Sequence, residues 1–356
     1  MIINRIVLYI LKPMKELILS LCCIVILSAC SFKNQRIESI FTIDSTLQLQ
    51  VTSILESKLS EINALSGQVI IMEVQTGHIK ALVGLERKDS ADYQPSENFH
   101  VQQPTSLMHP ISLLAALETG KVELDDMVDV GNGIYHVDGE ELKDHNWHRG
   151  GYGEISVKQG LAYSSNIATY KVMEAAFGNH TQDYFNLLNK MSYGKPDSIT
   201  GIANLKSYSV EDGNTTWFCI GYDQLITPIQ ILTFYNAIAN NGKMVQPQLY
   251  KDSITVINPL IASQTSIDKL KQALLFNVTD GLGKTVKSNK VSVAGMQGTI
   301  VINEEEAEYG IEFCGYFPVD NPKYTMIVSI NKGELPASGG LMAGDVFKKI
   351  VDYINK

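Results

Sequence analysis

Cysteine is scarce in this chain, and its placement excludes more than it offers. Of five cysteines, Cys22 and Cys23 lie in an N-terminal apolar run and Cys30 follows it. That leaves Cys219 and Cys314, each in an apolar segment (Trp217-Phe-Cys-Ile and Phe313-Cys-Gly-Tyr), which reads as two buried free thiols rather than a bridge. No cysteines have metal-ligand spacing, and neither a metal nor a cofactor is expected. Positive charge is also short: 29 Lys and Arg stand against 38 Asp and Glu, for a net charge of −9. Residues 1–29 hold three basic groups and one acid, so the remainder is more acidic still. That balance argues against nucleic acid as a partner and against electrostatic docking on anionic lipid. A membrane-length apolar run is missing too. The stretch from Leu17 to Leu27 is shorter than the roughly 20 residues a spanning helix needs. Internal repeats, low-complexity stretches and a linker after residue 41 are likewise absent.

The N-terminal run has a different use. Lys15 precedes it and Leu27-Ser28-Ala29-Cys30 closes it, which reads as a secretory signal. The closing residues resemble the bacterial lipobox, whose cysteine takes the lipid and becomes the mature N-terminus. The organisation expected is a signal peptide at 1–29, a lipid-anchored tether at 30–41 and a single domain at 42–356. The protein is then an exported lipoprotein, held to its membrane through Cys30 and facing the periplasm or the cell exterior.

Periodicity places the elements of the domain. Leu47, Val51, Ile54, Leu55, Leu59 and Ile62 share one side of a helix over about 46–64. Two β-rich runs, 68–74 and 78–83, flank Gln75-Thr76-Gly77 and read as a hairpin. A helix follows over 106–118 with Gly120 as its stop. Residues 121–153 are rich in glycine and read as loop. Helices are expected from near Ser156, over 181–192, over 227–241 with Pro228 at the first position, and over 266–278. Strands return at 291–302, 311–317 and 324–330, and a helix over 344–354 ends the chain. The fold class expected is α+β: an antiparallel sheet of about five strands from both chain ends, with a mostly helical insertion, in three α/β/α layers.

Several segments carry chemistry. Pro104-Thr105-Ser106-Leu107-Met108-His109-Pro110 places a serine at a helix start. Backbone N–H groups and the helix dipole favour charge there, and a residue three positions on lies one turn along the same face. Tyr163-Ser164-Ser165-Asn166 and Ala294-Gly295-Met296-Gln297-Gly298-Thr299 follow in order. With Gly67-Gln-Val-Ile, Thr76-Gly77, Thr227-Pro228, Gly315-Tyr316-Phe317-Pro318 and Asp320-Asn-Pro322, they resemble the penicillin-binding transpeptidase domain along nearly the whole mature chain. The first segment is similar to that family's Pro-Gly-Ser-x-x-Lys-Pro, the second to Ser-x-Asn, and the third to Ala-Gly-Lys-Thr-Gly-Thr. The resemblance implies the β-lactamase/transpeptidase-like form of the α+β fold, with the site between the sheet and the helical part. It also implies Ser106 as nucleophile, Ser164 as proton relay and Asn166 as holder of the substrate amide. Met296, Gln297 and Gly298 fall on the substrate-binding strand, and the N–H groups of Ser106 and Thr299 on the oxyanion hole.

The sequence departs from that family at the residues that make the serine reactive. His109 stands in place of the first lysine. A neutral imidazole is a base, but its short, rigid ring is poorly placed to reach Ser106. Met296, in place of the second lysine, offers neither charge nor proton. Gln297 replaces threonine, and Thr105 replaces a glycine, so a positive φ there is strained. Glu304, Glu305, Glu306 and Glu308 read as a solvated hairpin tip. His136, Asp144, His145 and His148 read as surface or substrate-edge residues rather than metal ligands.

Three functions are open at this point. One is a degenerate transpeptidase-domain lipoprotein that binds a peptidoglycan stem peptide, or a cell-wall synthesis protein, without acylation. The second is a working or weak D,D-transpeptidase or carboxypeptidase using Ser106, with His109 as base and β-lactams as ligands. The third is a β-lactam sensor or hydrolase, against which stands the lack of a deacylating carboxylate.

Overall fold

The computed structural model describes residues 40–87, 92–96, 104–199, 209–210, 215–303 and 305–356. The segments expected to be a signal peptide and most of the expected tether, with Cys30, lie outside these residues, as do Gln103 and Glu304. The contacts divide the chain at Thr42, and Ile43–Lys356 is described here by itself.

The unit starts with α1 (Ser45–Glu61), where the Asp44 carboxylate accepts from the Leu47 N–H at 3.0 Å and caps the first turn. Next come β1 (Ser66–Glu73) and β2 (Ile79–Glu86), an antiparallel hairpin, and then the short β3 (Gln94–Pro95). A 3₁₀ turn, Thr105–Met108, runs directly into α2 (His109–Glu118), and Gly120 ends it at φ +69°. The glycine-rich stretch after it is not loop. It contains β4 (Met127–Gly131), β5 (Ile134–Val137), β6 (Glu140–Lys143) and β7 (Gly153–Ser156), paired β4 with β7 and β5 with β6. Asp138 and Gly139, both at positive φ, form the β5–β6 turn, so the Asp-Gly pair was the signal for that hairpin.

Helices α3 (Val157–Ala162), α4 (Asn166–Phe177) and α5 (Thr181–Lys190) follow. Then come β8 (Ser209–Val210), the single turn α6 (Thr215–Phe218) and β9 (Gln224–Leu225). Helix α7 (Pro228–Ala239) opens with a Thr227–Gln230 capping box. The chain continues through β10 (Met244–Val245), β11 (Val256–Asn258) and α8 (Gln264–Thr279). It ends with β12 (Ala294–Asn303), β13 (Glu308–Phe317), β14 (Tyr324–Gly333), a π-type turn at Gly339–Ala343 and α9 (Gly344–Ile354).

The main sheet has six strands in the order β12-β13-β14-β1-β2-β3, antiparallel throughout. It is the α+β architecture expected, with the two-residue β3 as one strand more. Both faces are covered. Leu55 and Leu59 of α1 and Val346, Phe347 and Ile350 of α9 pack with Val69, Ile71, Phe313 and Val328 on one face. Ile70, Met72, Met296, Cys314 and Ile327 meet α2, α4, α7 and α8 on the other. Alternation along each strand sends neighbouring side chains into different cores. Cys219 and Cys314 are buried and free, each in an apolar core.

One junction fixes where the helical layer meets the sheet. Thr105 is 2% exposed and sits at φ +56°, a conformation that costs a β-branched residue on the order of 1–3 kcal/mol. It is held between two glycines. A Cβ on Gly221 would come 2.0 Å from the Thr105 carbonyl oxygen, and one on Gly298 would come 1.9 Å from its Oγ1. The Thr105 hydroxyl donates to the buried Glu312 carboxylate on β13 at 3.3 Å, and Ser329 on β14 donates to the same carboxylate at 2.7 Å. Gly298→Ala is therefore expected to destabilise the protein by about 1–3 kcal/mol through overpacking. In a Thr105→Gly background the same change should cost much less. Urea unfolding of the four members of this double-mutant cycle measures the coupling, and additive effects would refute the contact.

Candidate active site

The fold brings the three sequence segments to one place. The 3₁₀ turn lies against β12 through Thr105 and Gly298. Helix α2, which continues that turn, packs on α4, and His109 lies with Ala168, Thr169 and Val172 around a cavity of about 10 Å³. Ser106 thus stands between the β12 strand and the Ser164-Ser165-Asn166 junction. It is half-buried, and its hydroxyl makes no hydrogen bond among the described residues. Its turn is anchored from below, where the buried Tyr235 hydroxyl donates to the Leu107 carbonyl oxygen at 2.9 Å.

The second segment is the break between α3 and α4. Ser164 occupies it at φ +53°, half-buried, and its hydroxyl is likewise unheld among the described residues. Ser165 caps α4: its Oγ accepts from the Ala168 N–H at 2.9 Å and donates to Asp144 Oδ2 at 2.7 Å. Asp144 Oδ1 accepts from the Ile167 N–H at 3.1 Å. Burial raises the Asp144 carboxyl above its ordinary range, and these bonds at the start of α4 oppose the shift. Asn166 donates to the Lys143 carbonyl oxygen at 3.0 Å. Asp144, read from the sequence as a surface or substrate-edge residue, is instead fully buried and positions the start of α4, a role hidden in the sequence because its partners lie more than twenty positions along the chain. His145 meets the Tyr152 hydroxyl at 3.1 Å and burial lowers its pKa, while His136 and His148 are exposed. Lys143, the cation beside Asn166, pairs with Glu141 and stands 5.3 Å from the centre of the Trp147 ring.

The third segment alternates along β12. Met296 is fully buried in the same core as Leu107 and Cys314. Gly298 meets the 3₁₀ turn. Gln297 and Thr299 point to the opposite face. Gln297 Oε1 accepts from Asn277 at 2.9 Å, and its Nε2 is buried without a partner among the described residues. Thr299 Oγ1 accepts from the Gly339 N–H at 3.0 Å. The Asn277 amide also donates to the Gly295 carbonyl oxygen at 2.7 Å, so α8 occupies part of the edge of β12. Glu305 and Glu306 are exposed at the β12–β13 tip.

His109 is the least expected member. Its ring is fully buried, and neither nitrogen has a hydrogen-bond partner among the described residues. Burial drives its pKa down to about 3. The Asn166 side chain lies beside the ring and pulls weakly the other way, without hydrogen-bond geometry at either nitrogen. Burial thus favours the neutral ring and weakens it as a base. The cavity beside it is otherwise apolar except for Thr169 and is of about the volume one water needs.

The buried ring has a consequence for stability. An exposed histidine in the unfolded chain titrates near 6.5, whereas this one titrates near 3 in the fold. Between those values the unfolded chain binds a proton that the folded chain does not. The contribution is fully present above pH 6.5 and is lost as pH falls toward 3, by at most about 1.4 kcal/mol per unit. His109→Met is expected to flatten the fall in melting temperature over this window. Parallel curves for the two proteins would rule out a desolvated ring.

The fold is shared with known proteins. The chain is 22% identical to a peptidoglycan D,D-transpeptidase FtsI homolog of Mesostigma viride, over 91% of this chain and 62% of that protein. It is 23% identical to a probable peptidoglycan D,D-transpeptidase PenA of Neisseria flavescens, over 88% of this chain and 81% of the other. Among solved structures, the transpeptidase domain of penicillin-binding protein 3 from Burkholderia pseudomallei superposes with a TM-score of 0.76 at 22% identity. The match covers 88% of this chain and 95% of that one. The chain thus spans about three-fifths of the Mesostigma relative's length. The sequence profile of the penicillin binding protein transpeptidase domain matches residues 67–352, and the chain belongs to that family.

Proposed function

We propose that this protein is a transpeptidase-domain lipoprotein of the cell envelope that serves peptidoglycan synthesis by binding rather than by acyl transfer. Its ligand on this reading is a peptidoglycan stem peptide or a cell-wall synthesis protein, and Cys30 carries the lipid that holds it at its membrane. One observation carries the reading: both positions that hold a lysine in the family resemblance are filled by uncharged, fully buried side chains, His109 and Met296.

The chemistry follows from those two residues. Acylation of a serine needs a group that takes its proton as the bond forms, and a base of pKa about 3 gives little driving force for that transfer. It also benefits from a cation that draws in the substrate carboxylate, and methionine supplies none. Losing one such contribution costs on the order of 10²–10⁴ in rate. What the site retains is suited to binding. Ser106 is half-buried beside an edge strand, and Asn166 sits at a helix start whose backbone geometry Asp144 and Ser165 maintain. A second reading, a weak D,D-transpeptidase acting through Ser106, is favoured by that accessible hydroxyl and by the names of the relatives.

Fluorescent penicillin separates the two. The full-length chain is expected to take no covalent label at a dose that saturates a family member with both lysines. A label on the wild type that disappears in Ser106→Ala would overturn the binding-only reading. If that label increased as pH rose through the range of an ordinary imidazole, His109 would be assigned as the base.

A further inference from the structure

A groove with a volume of about 410 Å³ opens at the end of α4 far from Asn166. Glu174 lies eight residues past Asn166, roughly 12 Å along the helix, so the groove is separate from the Ser106 site. Two parallel elements connect the two places. One is α4. The other is the β5–β6 hairpin, bonded to Asn166 through Lys143 at its base and touching Tyr170 through the Tyr135 ring, centroids 5.7 Å apart. Asp138 forms its turn and reaches the groove.

The lining is of two kinds. Met173, Phe177 and Cys219 are buried and make an apolar floor. Asp138 and Glu174 are exposed carboxylates at the rim with no ion-pair partner among the described residues, and Tyr170 lines the same groove. Burial first, then the charge of Glu174, the neighbouring Tyr135 and the charge of Asp138 push the Tyr170 hydroxyl up to about 12. Lys171, next to Tyr170, is already engaged: its ammonium donates to the Asp129 carbonyl oxygen at 2.7 Å and stands 4.6 Å from the Tyr135 ring centre. Thr215 also lines the groove, but its hydroxyl oxygen is buried away from it.

We propose that this groove is a binding site for an alkylammonium group. The ammonium sits between the Asp138 and Glu174 carboxylates and against the face of Tyr170, where charge-assisted hydrogen bonds and cation–π attraction act together. Its methylene stem runs over Met173 and Phe177. Anions are repelled by the two carboxylates. A neutral stem gains only the apolar contact. The alkylammonium could belong to a lysine-like residue of a peptide or to a free diamine.

Isothermal titration of the full-length chain in detergent tests this with three probes: Nα-acetyl-lysine methylamide, N-acetyl-norleucine methylamide and cadaverine. The lysine derivative is expected to bind and the norleucine derivative, of similar stem but no charge, is not. Added salt should weaken binding. The Asp138→Asn, Glu174→Gln double variant should lower affinity at least about tenfold. Both residues are exposed, so an unchanged melting temperature will show that the variant is folded. Tighter binding of the lysine derivative than of cadaverine assigns the site to a peptide, and the reverse order to a free diamine. Either order upholds the site. Equal heats from the norleucine derivative, no binding of either amine, or full affinity in the folded double variant would overturn it. Acylation of Ser106 does not enter this readout, so its outcome is separate from the function proposed above.

Discussion

The arrangement of the site depends on the seating of Thr105. This residue joins three parts of the chain that are distant in sequence: the 3₁₀ turn, the loop at Gly221 and the strand at Gly298. Its backbone takes up a left-handed conformation that a β-branched residue adopts only under constraint. The hydrogen bond to Glu312 and the close approach of two glycines supply that constraint. Ser106 follows directly, so its position is set by contacts one residue away and by the Tyr235 bond to Leu107.

The residues that differ from the family resemblance are consistent with one another. A lysine ammonium placed at 109 would enter a surrounding of Leu113, Val157, Leu161 and Ala168, whereas a neutral imidazole enters it without burying a charge. Met296 continues the same apolar core toward Cys314. The polar groups that persist are those with backbone duties. Ser165 and Asp144 close the start of α4, and Asn277 caps the edge of β12. Hydrogen bonding thus maintains the shape of the site around these uncharged side chains.

The same distinction separates what could be read along the chain from what could not. Helix α9 was legible to the residue, because its apolar face recurs at helical spacing. Helices α1, α7 and α8 were legible to within a few residues, since their caps and apolar stripes are local. The hairpins after Leu124 were missed because glycine was read as loop, although Asp138-Gly139 marks a turn. The motif segments were legible as sequence strings. Their degree of burial was not.

The sequence by itself determined the main helices and the sheet strands at both chain ends, the family frame and the identity of the altered residues, because these rest on local spacing and side-chain chemistry. Only the tertiary structure decided that the His109 ring is desolvated, that Thr299 and Gln297 point away from the Ser106 turn, and that Asp144 supports the start of the helix at Asn166. Burial and partner choice depend on which distant segments pack together, and neighbouring residues along the chain carry no record of that.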